Sequence, residues 1–156
     1  MLSLDDFNLE GIATALQDQS ADDHRHLINP HTGEIEFWTS DGGIDGDQPI
    51  GLDELDLIAI GPLPSRVWYE DMAYFAERIS DERAGQRLAR AIHGKGAFRR
   101  FKNKLYAEYP GLLSRWHEFS DIRGQRRAVE WLADNALVTR DTADRFIAEH
   151  PDPDLP

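Results

Sequence analysis

With 156 residues, 40% hydrophobic and 29% charged, the chain has the make-up of a folded domain rather than a disordered one. It contains no cysteine, which excludes disulfides and thiolate metal sites; no apolar run approaches the roughly 20 residues of a membrane span, so no membrane partner is expected. The formal net charge of -12 is unevenly spread: residues 1–80 hold 17 acids against Arg25, Arg66 and Arg78, whereas residues 83–127 hold 12 bases against Glu108, Glu118 and Asp121. Such asymmetry reads either as an anion-binding face or as two segments that neutralise each other.

The N-terminus, MLSLDDFNLE, is too acidic for a signal peptide, and a cytoplasmic location is expected. Leu9, Ile12 and Leu16 recur at helical spacing, with Asp5 or Asp6 placed to cap a first helix. The period then changes. HRHLIN, the turn chemistry of PHTG and EIEFWTS, in which Ile35 and Phe37 alternate, read as a β-hairpin. DGGIDGDQP reads as an acidic loop, and LDLIAI at residues 55–60 as a third strand of a small antiparallel sheet.

After Pro64 the pattern is helical. Trp68, Met72, Phe75 and Ile79 step along one face. Ser80 or Asp81 starts a second helix with Leu88 and Ile92 inward, and Phe98, Phe101 and Leu105 mark a third, stopped at Pro110-Gly111. Leu113, Trp116 and Phe119 mark another. Val129, Leu132 and Ala136 lie on one face of the next, which Trp131 widens, and a last helix around Ala143, Phe146 and Ile147 begins near Thr139 or Asp141. Phe98, Phe101, Leu105, Trp116 and Trp131 are expected in one buried cluster. The fold class is α+β: a small antiparallel three-stranded sheet with an N-terminal helix, followed by a mainly helical C-terminal half. Residues 1–150 read as a single domain, with the sheet in 1–63 and the helices in 64–150; 151–156, PDPDLP, read as a frayed tail.

The segment with the most chemistry is AIHGKGAFRRFKNKL, residues 91–105. It is not a nucleotide-hydrolysing loop, because Gly94-Lys95-Gly96 follows a helix rather than a strand and no Ser or Thr stands ready for magnesium. Two readings remain. Glycines before a helix leave its first N–H groups open to an anion, with Lys95, Gly96, Arg99, Arg100, Lys102 and Lys104 as anion-binding candidates. Alternatively, Gly94 ends one helix, Gly96 frees the turn, and the bases cover a solvated face.

GKGAFRRFK, with Ala91-Ile92 before it and Leu105, Arg115-Trp116 and Glu130-Trp131-Leu132 after it, resembles the bacterial uncharacterised protein family 0158. The resemblance extends over about residues 5 to 137, through Thr32-Gly33-Glu34, the Leu55–Ile60 strand and the helix of Met72 and Phe75. His26-Leu27-Ile28-Asn29 departs from the family's more usual tyrosine-leucine-aspartate, and the DGGIDGD loop is long. The family carries no established activity, so the resemblance implies a fold and leaves function open.

Other constellations are weaker. His24 and His26 share a strand face, with His31, Glu34 and Glu36 nearby, but the spacing matches no metal motif and no metal or cofactor is expected. Asp41, Asp45 and Gly46 imitate an EF-hand loop, yet Gly43 and Leu52 stand where ligands are needed, so tight calcium binding is not expected. No nucleophilic triad can be assembled and no catalytic residue is assigned. Arg115, Trp116, His117 and Glu130 form a candidate pocket. The preferred reading is a non-enzymatic binding module whose basic helical surface meets an anionic partner: nucleic acid, or a phosphorylated or acidic protein. Arg123, Arg126 and Arg127 would extend that surface. One alternative is a protein–protein adaptor with an acidic N-terminal face; another is an enzyme whose dispersed site surrounds Arg115, His117 and Glu130.

Overall fold

The computed structural model describes residues 2–18, 24–39 and 57–155. The chain divides into two compact units: Met1–Leu63 with Gly124–Pro151, and Pro64–Arg123 with Asp152–Pro156. The fold is α+β: the described residues form a three-stranded antiparallel sheet and six α-helices, the C-terminal half being helical. Among the described residues no helix is long and apolar enough to cross a membrane.

In the first unit, a 3-10 turn at Leu4–Asp6 precedes helix α1, Leu9–Gln17. Asp6 does not cap α1: its carboxylate accepts from the Ser3 N–H at 2.9 Å, and Asn8 caps α1 by accepting from the Gly11 N–H at 3.1 Å. The cap moves to Asn8 because the 3-10 turn already uses Asp6. Ile12 and Leu16 are buried, as their spacing implies.

Strands β1, His24–Ile28, and β2, Ile35–Thr39, form the hairpin, with His24 opposite Thr39 and Ile28 opposite Ile35. The turn closes by Asx chemistry: Asn29 Oδ1 accepts from the His31 N–H at 2.8 Å, and the Asn29 carbonyl accepts from the Gly33 N–H at 2.8 Å. Strand β3, Ile58–Ile60, pairs antiparallel with β1, giving the order β2-β1-β3. β3 is shorter than the Leu55–Ile60 run suggests; residues 55 and 56 lie outside the described residues. Because β1 is central, its successive residues Leu27 and Ile28, which point to opposite faces, are both buried. The alternation in β2 does not carry both of its residues inward. Ile35 is half-buried and Phe37, on an edge strand, is 48% exposed with its ring edge-on to His26 at 5.4 Å.

In the second unit, α2, Arg66–Arg78, buries Trp68, Met72 and Phe75, and Ile79 follows as its buried cap. Helix α3, Glu82–Ala91, is capped by Asp81, which accepts from the Ala84 N–H at 3.1 Å, and it buries Ala84 and Leu88. Helix α4, Ala97–Glu108, buries Phe101 and Leu105. Pro110 opens α5 rather than merely stopping α4, as suits a residue with no N–H to lose in a first turn. The core of this unit is aromatic: Trp116 stands 4.8 Å from Phe101 and 5.4 Å from Phe75, ring centre to ring centre, and Phe119 joins them.

Three sequence expectations change. α5 is one helix, Pro110–Asp134, where the apolar pattern suggested two. Gly124 lies inside it, where its bare backbone admits a close neighbour: a Cβ there would come within 3.3 Å of the Ala13 Cβ. Ala136 is not on an inward helical face. It is exposed with a φ of 59°, and the Ala136 and Leu137 N–H groups donate to the Ala133 and Leu132 carbonyls, a Schellman ending with alanine in the usual glycine position. Trp131 is half-buried and belongs to the first unit, so it does not join the Phe101–Trp116 cluster. Phe98 reaches that cluster only from its edge, 5.1 Å from the Tyr69 ring.

Helix α6, Arg140–Glu149, starts at Thr139, whose side chain accepts from the Thr142 N–H. The tail read as frayed is tied to the second unit: Asp152 binds Arg123 and Leu155 packs on the aromatic core.

Candidate anion-binding site

The GKG step is a helix–helix junction. Gly94 and Gly96 both have a φ of +76°, the left-handed region in which a side chain is strained, and Gly96 is the N-cap of α4. Gly96 offers no side-chain cap, so the chain closes the junction another way. The Arg100 guanidinium reaches back over it: Nε donates to the Ala91 carbonyl at 3.0 Å, and the two terminal nitrogens donate to the carbonyls of Lys95 and His93. These carbonyls include the last of α3, where the helix dipole favours a cation. Arg100 is therefore committed to its own backbone.

The remaining bases divide into paired and unpaired. Glu108 accepts from Lys104 at 2.7 Å and from Arg87 at 3.3 Å, and the Lys104 hydrogen bond holds its carboxyl below the usual carboxylate range. Lys95, Arg99 and Lys102 are exposed, and neither they nor Arg90 take part in an ion pair among the described residues. Between α3 and α4 lies an open groove of about 640 Å³ whose lining includes Arg87, Arg90, Arg100, Lys104, Asn103 and Glu108. Four cations thus face one carboxylate.

Arg87 and Arg90 are absent from the sequence-derived candidates. Their sequence signal is that, with Arg83, they recur at intervals of four and three along α3, on a strip beside the buried Ala84 and Leu88.

Arg123 does not extend this surface. Its Nη1 donates to Asp71 at 3.1 Å, its Nε and Nη2 donate to the two oxygens of Asp152, and its guanidinium lies 4.4 Å from the Tyr74 ring centre and 4.7 Å from that of Phe119. Burial alone would lower the Arg123 pKa, but the hydrogen bonds to Asp152 and Asp71 outweigh it and raise it. Asp71 lies three residues after Trp68 and four before Phe75, on the inward side of α2, which is the sequence signal for its burial.

The other candidate pocket residues are distributed as follows. Trp116 is buried in the aromatic core, Arg115 is exposed and 3.8 Å from Glu118, and His117 is exposed. Glu130 is an exposed residue of the first unit. Among the histidines, His26 Nε2 lies 2.8 Å from Asp18 Oδ2, and His31 is exposed in the hairpin turn. The described residues contain no group of three or more His, Asp and Glu side chains disposed around an ion. The Asp41–Asp47 loop and the His24 side chain lie outside the described residues.

A junction of two left-handed glycines closed by an arginine gives structural meaning to GKGAFRR, the run on which the family resemblance rests most. The model of the uncharacterised protein family UPF0158 matches residues 56–149. The chain belongs to this family. The matched residues of UPF0158 include α2, α3, α4, α5 and α6, and so the whole α3–α4 groove; the first helix and the hairpin lie upstream of them. The UPF0158 protein PA5073 of Pseudomonas aeruginosa is 33% identical over 81 residues, 52% of each chain. The chain thus spans about half the length of this curated relative. No solved structure matches the chain.

Proposed function

We propose that this UPF0158 protein is a binding module whose α3–α4 face holds an anionic partner. The supporting observation is the imbalance of that face. Residues 82–108 carry eight bases against two acids, Glu82 and Glu108, in a chain with a net charge of -12. Ion pairs within the unit engage Arg123, Arg87 and Lys104, and among the described residues Arg90, Lys95, Arg99 and Lys102 make none. Of these, Arg90 lines the groove, while Lys95, Arg99 and Lys102 are exposed outside its lining; a cluster of like charges on one face draws an anion from solution.

The test is anisotropy titration with labelled inorganic polyphosphate across a salt series. Affinity should fall linearly with salt on logarithmic axes, with a slope that counts the phosphates contacted. The triple variant Arg90→Glu, Arg99→Glu, Lys102→Glu should lose binding and melt within a few degrees of the wild type, since these exposed side chains make no ion pair among the described residues. Arg100 is left intact, because reversing it would open the junction and confuse folding with binding. A wild-type chain that binds no polyanion at low salt overturns the proposal.

A further inference from the structure

Helix α4 carries three aromatic side chains, and the core uses two. Phe101 is fully buried and Phe98 lies against Tyr69, whereas Tyr106 is 75% exposed. With Phe37 it is one of two large hydrophobic side chains exposed among the described residues. Its surroundings on the helix follow from geometry. At about 100° per residue, Arg99, Lys102, Asn103 and Tyr106 fall within one outward sector about 100° wide. Side chains three and four positions apart are neighbours on such a surface, so Tyr106 stands beside both Lys102 and Asn103. Asn103 also lines the α3–α4 groove. The exposed ring therefore stands outside the groove lining, next to its outermost α4 residue Asn103, on a strip whose cations Arg99 and Lys102 make no ion pair among the described residues.

Resting on the anion-binding reading, we propose that the partner is a single-stranded nucleic acid, with one base stacked on Tyr106 and the adjoining phosphates held by Arg99, Lys102 and the groove. Three physical considerations select this occupant. A tracking basic groove supplies salt-dependent affinity, and a solvent-facing ring supplies a platform that accepts any base. A duplex hides its base faces in its own stack and has nothing to offer the ring. A protein partner fits poorly, since interface centres are depleted of lysine and charge and built on several buried apolar anchors, of which this strip has one.

The full chain is titrated with labelled oligouridine of about twelve nucleotides, within the span that such surfaces occupy, beside a duplex of equal length and inorganic polyphosphate of equal charge. Tyr106→Ala and Tyr106→Phe are compared, with thermal melts confirming that both fold as the wild type does. The single strand should bind more tightly than the duplex. Tyr106→Ala should weaken it about tenfold, the loss of one stacked base, Tyr106→Phe should keep it, and polyphosphate should bind all three proteins alike. Photocrosslinking with a halogenated oligouridine should label Tyr106. If the single strand binds no better than the duplex, or if Tyr106→Ala leaves it unchanged or weakens polyphosphate equally, the stacking proposal is overturned and the basic groove stands. If neither probe binds with salt dependence, the groove reading falls as well.

Discussion

Two adjacent arginines, Arg99 and Arg100, look interchangeable in the sequence and behave differently. Arg99 is exposed with no ion pair among the described residues, while Arg100 donates to three backbone carbonyls across the α3–α4 junction. A charged donor to a carbonyl is worth more than a neutral one, and without it those acceptors must be satisfied by water. Arg100→Ala should therefore cost about 1–2 kcal/mol in urea unfolding, whereas Arg99→Ala should stay within about 0.5 kcal/mol. Equal effects would show that the clasp contributes nothing. Arg100→Lys should rescue little, because a single ammonium cannot span the three acceptors that the planar guanidinium reaches.

Helix ends follow local rules, and one of them is poorly met. Asn8, Asp81 and Thr139 cap α1, α3 and α6 with their side chains, and each belongs to the residue types that favour this position. α5 ends with Ala136 at a φ of 59°, where its Cβ crowds the backbone. Glycine relieves that strain, and since Ala136 is exposed no packing is lost. Ala136→Gly should raise stability by about 0.5–1 kcal/mol despite glycine's larger unfolded-state entropy. A loss of stability in thermal or urea melts would contradict this account of the helix end.

Charge organisation links residues that are far apart in the chain. Asp71, Arg123 and Asp152 meet in one network over the Tyr74 and Phe119 rings, which joins α2, α5 and the chain end. Arg123→Ala would leave Asp71, only 2% exposed, as a buried carboxylate without its guanidinium. The expected cost is about 3–5 kcal/mol. Asp152→Asn, at a more exposed position, should cost about 1 kcal/mol. Urea unfolding of both variants, followed by tryptophan fluorescence, checks the order; Asp152→Asn costing as much as Arg123→Ala would refute it. This network also bears on the charge asymmetry. Part of the basic segment is paired within the unit, Arg123 with Asp71 and Asp152 and both Arg87 and Lys104 with Glu108, whereas Arg90, Arg99 and Lys102 make no ion pair among the described residues.

Short-range physics makes much of the fold legible from amino-acid order. The switch from period two to helical period near Pro64, the Asx turn of the hairpin and the inward stripe of Trp68, Met72 and Phe75 each depend on residues a few positions apart. The GKG junction is legible for the same reason, since positive φ favours glycine and helix propensity disfavours it. Two things depend on distant neighbours, and tertiary structure alone decided them. α5 runs through Gly124, whose lack of a side chain is explained by the Ala13 methyl beside it, a neighbour that the sequence does not disclose. The fate of each cation was likewise hidden, since Arg99, Arg100 and Arg123 carry the same charge and differ only in what folding brings within about 3 Å of them. An ion pair or a carbonyl clasp is a contact across the chain, set by how helices meet and not by any period within one of them. The site was therefore half visible: the basic run could be read, but Arg87 and Arg90 joined it, and Arg100 and Arg123 left the pool of free cations, only once the helices were placed.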